Sequence, residues 1–228
     1  MTLDAPIDGD GDGATTHKEA VIDLLGVLMY AELRAFDRLA EDSRFAPTLD
    51  GRARLAAMAA AEVGHYFALE RRLRSMGVVP QDAMIPFVRA VDRFHDSTRP
   101  SNWYEGLVKA FVGDGFASDF YGEIAEFVDP GTRELVLSVL EDTGHADFAV
   151  REVRAAIDAD PQLAGRLALW ARRLVGEALT QAQQVIAERD NIADMVIDGA
   201  GDLDSIGAIL KRIINAHGER MRALGLSA

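Results

Sequence analysis

The sequence predicts an all-α protein: a four-helix bundle with a long crossover between its second and third helices and two extra helices toward the C-terminal end. Three observations carry that expectation. Apolar residues recur at steps of three and four through long stretches, and no stretch alternates with the strand period of two. Helix-breaking residues cluster between those stretches, at Pro47, Gly77 to Pro80 and Asp129-Pro130-Gly131. A carboxylate-x-x-His pattern occurs twice, at Glu62–His65 and Asp142–His145, in corresponding places of what reads as an internal duplication.

Residues 1–16 are acidic and glycine-rich and read as a flexible tail, leaving 17–228 as one domain, with the bundle over 17–159 and the additional helices over 161–224. The first helix is expected from about His17 to Asp42, with Leu25, Leu28, Glu32 and Phe36 on one stripe. After the turn around Pro47, the second runs from about Arg52 to Met76 along Leu55, Met58, Glu62, His65 and Leu69, and is ended by Gly77 and Pro80. Val78 to Pro100, with Pro80, Pro86 and Pro100, is the crossover. Ser101 or Asn102 caps a third helix reaching about Phe127. A fourth runs from about Thr132 to Ala159, with Leu135, Val139, Asp142, His145 and Ala149 inward. Pro161 opens a fifth helix to roughly Met195, Asp198–Asp202 is a flexible break, and Ser205 caps the last helix, to about Leu224.

Length and composition bound the function. The 228 residues suffice for one substantial core, and 49% are apolar. No run approaches the ~18–20 apolar residues that span a bilayer. The N-terminus has no apolar segment of the kind a signal peptide carries, so a cytoplasmic protein with no membrane partner is expected. Without cysteine there are no disulfides, zinc-thiolate sites or iron–sulfur clusters. The net charge of −13 opposes binding to phosphate backbones. The one basic cluster, Arg71, Arg72 and Arg74, reads as a solvated helix C-terminus.

The paired pattern carries the chemistry. Residues three apart share a helix face, so each pattern aims one oxygen and one nitrogen ligand at the same point. Two such helices, plus one carboxylate from each of two others, build a two-metal carboxylate site inside a bundle. A charge within an apolar stripe costs several kcal/mol unless paired or metal-bound. Glu32, Glu62, His65, Asp142 and His145 all sit on such stripes. The third helix offers Asp119, which best parallels Glu32, then Glu123, then Asp114, whose flanking Gly113 and Gly115 could open space for something bound. Gly64 and Gly144, poor helix formers inside the two patterns, suit a close helix approach or room beside the metals. Tyr66 and Tyr121 are candidates for donors behind the ligands, with core packing as the plainer reading. Oxygen and imidazole donors suit two iron ions, alternatively manganese or zinc. No catalytic side chain is expected beyond the metal ligands. Asp8, Asp10, Asp12, Gly13 and Glu19 also fit the EF-hand spacing, but no entering helix precedes them, and an acidic tail running into a helix is the better reading.

The segments Tyr30–Ala35, Ala61–Tyr66, Ser118–Phe120 and Glu141–His145 resemble the ferritin-like superfamily and, within it, the tRNA-(2-methylthio-N6-isopentenyladenosine) hydroxylases, the MiaE-like family, over about residues 18–195. The resemblance implies a diiron monooxygenase that takes dioxygen and an electron donor and hydroxylates an isopentenyl group on a tRNA adenosine. The chain departs from that family by having Asp119 and Asp142 where glutamates are usual, and its acidity disfavours a tRNA substrate. The alternatives are a ferroxidase or other metal-binding bundle, or a non-catalytic interaction protein. The last helix carries Leu203, Ile206, Ile209, Leu210 and Ile213, a stripe suited to covering the bundle or forming a homodimer.

Overall fold

A computed structural model describes residues 10–141 and 145–227, with side chains from residue 15 onward except that of residue 145. Among the described residues there is no strand. The first bundle pair is α1 (Asp10–Asp42) and α2 (Leu49–Ser75). The short link between them makes them antiparallel neighbours. Thr48 caps α2 by accepting a hydrogen bond from the Gly51 N–H at 3.1 Å, which moves the start ahead of the expected Arg52. At the other end Gly77 adopts φ +77°, a left-handed conformation that suits glycine after a helix. α1 begins at Asp10, earlier than the expected His17. The acidic pattern from Asp10 to Glu19 therefore lies on a helix and not in a calcium-binding loop; Asp8 lies outside the described residues.

The crossover is itself helical. It contains α3 (Pro80–Met84), a 3₁₀ turn (Ile85–Phe87) and α4 (Val88–Ser97). Pro80 sits at the start of α3, where its missing N–H costs nothing. α3 crosses α1 closely at Gly26: a Cβ there would collide with the Ala83 carbonyl. This is the close helix approach. Gly64 has nothing near the position of its missing side chain and is exposed.

The third bundle helix comes in pieces. α5 (Trp103–Val108) is capped by Asn102, which accepts from the Tyr104 and Glu105 N–H groups, both at 3.1 Å. A π-helical turn, Lys109–Gly113, leads into α6 (Asp114–Ile124). The fourth helix is divided into α7 (Pro130–Val139), capped by Asp129, and α8 (His145–Ala159). Leu140 and Glu141 lie outside helix, so the expected continuous helix from Thr132 to Ala159 is interrupted there; residues 142–144 of the second pattern lie outside the described residues.

The C-terminal segment folds as α9 (Gln162–Glu188), α10 (Asp190–Ala200) and α11 (Leu203–Ala223). The break at Arg189 has a counterpart in α1: its guanidinium forms an ion pair with Asp23, which is buried. Asp202, rather than Ser205, caps α11; it accepts from the Ser205 N–H at 2.7 Å. Arg154 of α8 donates to the Arg222 and Ala223 carbonyls, giving the last turn of α11 the partners its orphan oxygens need.

Two apolar clusters hold these layers together. One joins Leu55, Met58, Leu107, Val112, Val153, Leu167 and Leu174 across α2, α5, α8 and α9. The other joins Leu24, Leu25, Leu28, Leu69, Leu73 and Val136 across α1, α2 and α7. Each fully buried leucine contributes roughly 1.5–3 kcal/mol of transfer free energy. Glu32 of α1 and Glu62 and His65 of α2 lie between these clusters in sequence, as interruptions of otherwise apolar stripes. On α11, Ile213 is buried, while Leu203 and Leu210 of the same expected stripe are exposed.

Candidate metal centre

Glu32 is one helical turn beyond Leu28 on α1, and Glu62 and His65 are one and two turns beyond Met58 on α2. The antiparallel packing brings the three together. His65 Nδ1 lies 3.2 Å from Glu32 Oε2 and 3.4 Å from Glu62 Oε2. One donor atom from each residue falls within 4.8 Å of the others. Glu32 is 9% exposed, and Glu62 and His65 are half-buried.

Burial pushes the Glu32 carboxyl above its ordinary range, and Glu62 adds to this; the His65 imidazole acts in the opposite direction. The imidazole is itself raised, first by its hydrogen bond to Glu32 and then by that to Glu62. Such a cluster concentrates negative charge in a place that solvates it poorly. A divalent cation satisfies it, with oxygen and imidazole donors of the kind iron(II), manganese and zinc accept.

The third-helix carboxylates divide between two faces. Asp114 opens onto the cavity beside the cluster. Burial, followed by the nearby charge of Glu62, holds its carboxyl well above the usual range. By its surface area Asp114 is nonetheless exposed, as one of the residues that line the cavity. Asp119 lies on the other side of α6, in an ion pair with Arg220 of α11. Glu123 is on that side too, bound by Arg212 through two nitrogens at 2.6 and 2.5 Å. The geometry thus brings Asp114 toward Glu32, Glu62 and His65, and does not bring Asp119 or Glu123. Asp142 and the His145 side chain lie outside the described residues. Tyr66 packs among core residues and edge-on to Phe67, while Tyr121 lines the cavity, its phenol pushed up to about 12 by burial.

The cavity measures about 480 Å³, within the range of pockets that hold small organic ligands. Its wall is chiefly aliphatic and aromatic, with Val91, Phe94, Phe111, Phe116, Phe120 and Ile186 among the lining residues. Three polar residues that sequence reasoning did not single out also reach it: His95 of the crossover, Gln181 of α9 and Arg220 of α11. Each has a buried atom, Nδ1, Oε1 and Nη1 respectively, with no hydrogen-bond partner among the described residues. Their sequence signal is weak, because each stands on an amphipathic helix where polar residues are ordinary. Lys109 had a clearer signal, as a lysine inside the apolar run Leu107–Val112. It is buried, donates to the Thr98 carbonyl at 2.8 Å and lies 5.2 Å from the Phe94 ring centroid.

Residues 15–199 match the family of ferritin-like domains of actinomycetes. The chain belongs to that family. No curated protein matches it in sequence. Among solved structures, a Synechococcus protein described as "Protein 19 with aldehyde deformylating oxidase activity" is similar, with a TM-score of 0.65 and 22% identity over 92% of this chain and 96% of that one. The ferritin-like domain accounts for α1 through most of α10; α11 lies beyond the matched residues. Among the described residues, no helix is long and apolar enough to cross a membrane.

Proposed function

We propose that the chain is an oxygen-activating oxidase that acts on an apolar organic substrate held in the cavity. The observation that carries this reading is the Glu32–Glu62–His65 cluster opening onto a large, mainly apolar chamber. Glu32, Glu62 and His65 would hold one transition-metal ion, with Asp114 adding negative charge beside them and iron the best fit to the donors. Asp142 and His145 remain the candidates for a second. Bound iron(II) would supply electrons for the reduction of dioxygen, with an external donor restoring them. The protein's own contribution is to hold the ions between α1, α2 and α6 and to keep water away from the substrate with an aliphatic and aromatic wall. A storage or ferroxidase role has no use for such a wall.

The similarity to a protein with aldehyde deformylating oxidase activity suggests an aldehyde as a substrate class to test. The likeness to MiaE-like tRNA hydroxylases suggests an isopentenyl group as a further substrate candidate. The basic cluster closest to serving tRNA is largely engaged internally: Arg72 with Asp129 and Thr132, and Arg74 with Glu70. The small-molecule reading is therefore preferred.

The test is to load the purified chain with iron(II), measure bound metal, and follow dioxygen consumption by the reduced protein with and without decanal. Metal binding that His65→Ala lowers by at least tenfold in affinity, together with consumption that decanal accelerates, supports the proposal. A chain that binds no transition metal, or whose metal content His65→Ala leaves unchanged, refutes it.

A further inference from the structure

We infer that Arg220 anchors a carboxylate headgroup at the cavity wall, so that the chamber selects amphiphilic acids over neutral molecules of the same length. The inference rests on the cavity being a substrate chamber, as proposed above, and not on the chemistry at the metal.

Arg220 stands in the last turn of α11, and its side chain is largely buried. One terminal nitrogen, Nη2, donates to Asp119. The other, Nη1, is buried without a partner among the described residues, and the side chain forms part of the cavity wall. A guanidinium offers five N–H donors in a fixed fork. Asp119 accepts from Nη2 and Nε packs against Gly115, which leaves Nη1 as the donor for a second carboxylate. The placement is built into the neighbouring helix. The guanidinium lies against Gly115, where any Cβ would collide with it. The glycine beside Asp114 thus makes room for Arg220.

The surroundings decide what kind of ligand fits. Most of the wall is apolar, with Phe116 and Phe120 of α6 and Ile186 of α9 contributing. An aliphatic chain gains from that wall whatever its end group. Only an anionic end gains from a charge in a site of low dielectric, where an unpaired donor is costly. Because α11 lies beyond the residues matched to the family, the anchor comes from a segment outside the matched domain.

Isothermal titration of the metal-loaded full chain with decanoate and with decanol, at neutral pH, tests this. Decanoate should bind at least about tenfold more tightly than decanol. Arg220→Gln should abolish that preference while leaving decanol binding in place, which also shows that the variant folds. Asp119→Asn removes the guanidinium's internal competitor and should strengthen decanoate binding but not decanol binding. Absence of a preference in the natural chain overturns the inference. So does a preference that survives in Arg220→Gln, which would place the carboxylate on the metal, or an Asp119→Asn variant with unchanged decanoate affinity. Binding of neither ligand overturns both the anchor and the chamber. An Arg220-dependent preference in a protein that consumes no dioxygen would uphold the anchor and refute the oxidase.

Discussion

Replacing His95 by glutamine should remove a specific part of the protein's acid sensitivity. His95 is 8% exposed, on the inner face of α4, and its imidazole is pushed down to about 2. Burial is the largest cause, followed by the positive charges of Lys109, Arg34 and Arg38. In the unfolded chain the same imidazole titrates near its ordinary value of 6.5. The folded state therefore binds fewer protons than the unfolded state below that pH, and stability falls as pH falls. Above about pH 6.5 the group is neutral in both states and contributes no slope.

The magnitude follows from one proton bound only by the unfolded chain. At pH 5.5 the loss is about 1.4 kcal/mol, and at pH 4.5 about 2.7 kcal/mol. For a chain of this length, the first value corresponds to a fall of about 3–6 °C in Tm. Other groups also titrate in this range, so the measurement is a difference: the Tm of the natural chain minus that of His95→Gln, from pH 7.5 to pH 5.5 in buffers of equal ionic strength. The difference should shift against the natural chain by that amount, because glutamine has no proton to bind. A difference that stays constant within about 1 °C would show that His95 is not held neutral by its surroundings.

Other outcomes follow from the site and from the crossover. Asp114→Asn should lower the affinity for iron(II), while Asp119→Asn should leave metal content at the natural level; metal analysis after dialysis against a fixed free-metal concentration distinguishes the two faces of α6. Gly26→Ala should cost about 1–3 kcal/mol, read as a lower Tm, because the added methyl meets the Ala83 backbone and not a side chain that could move aside.

The first half of the site was legible in the sequence because α1 and α2 are regular. Their stripes hold one phase from Leu28 to Glu32 and from Leu55 to Leu69, so counting residues finds Glu32, Glu62 and His65 on facing surfaces. The antiparallel pairing followed from the short link. The crossover's helices leave little trace in the sequence, because proline generally breaks helices, whereas Pro80 and Pro86 sit at the beginnings of helical turns, where proline is tolerated.

The third helix defeated the same counting for a physical reason. Parallel placement between the halves points to Asp119 and takes no account of the helix's phase. The π-helical turn at Lys109–Gly113 lengthens the local repeat, so inward positions counted through α5 do not carry into α6. Asp114 stands immediately after that turn and opens onto the cavity, while Asp119, five residues on, projects from a different side toward α11. No local composition marks a π turn, and the long-range partner that occupies Asp119 is 101 residues away in sequence. The same turn places buried Lys109 and the cavity-lining carboxylate of Asp114 near enough to attract, which raises the Lys109 ammonium and lowers the Asp114 carboxyl against the larger effect of desolvation. One irregularity in one helix thus positions both a cavity-lining carboxylate beside the Glu32–Glu62–His65 cluster and a buried cation near the chamber, which is where a π turn most often has a functional reason to persist.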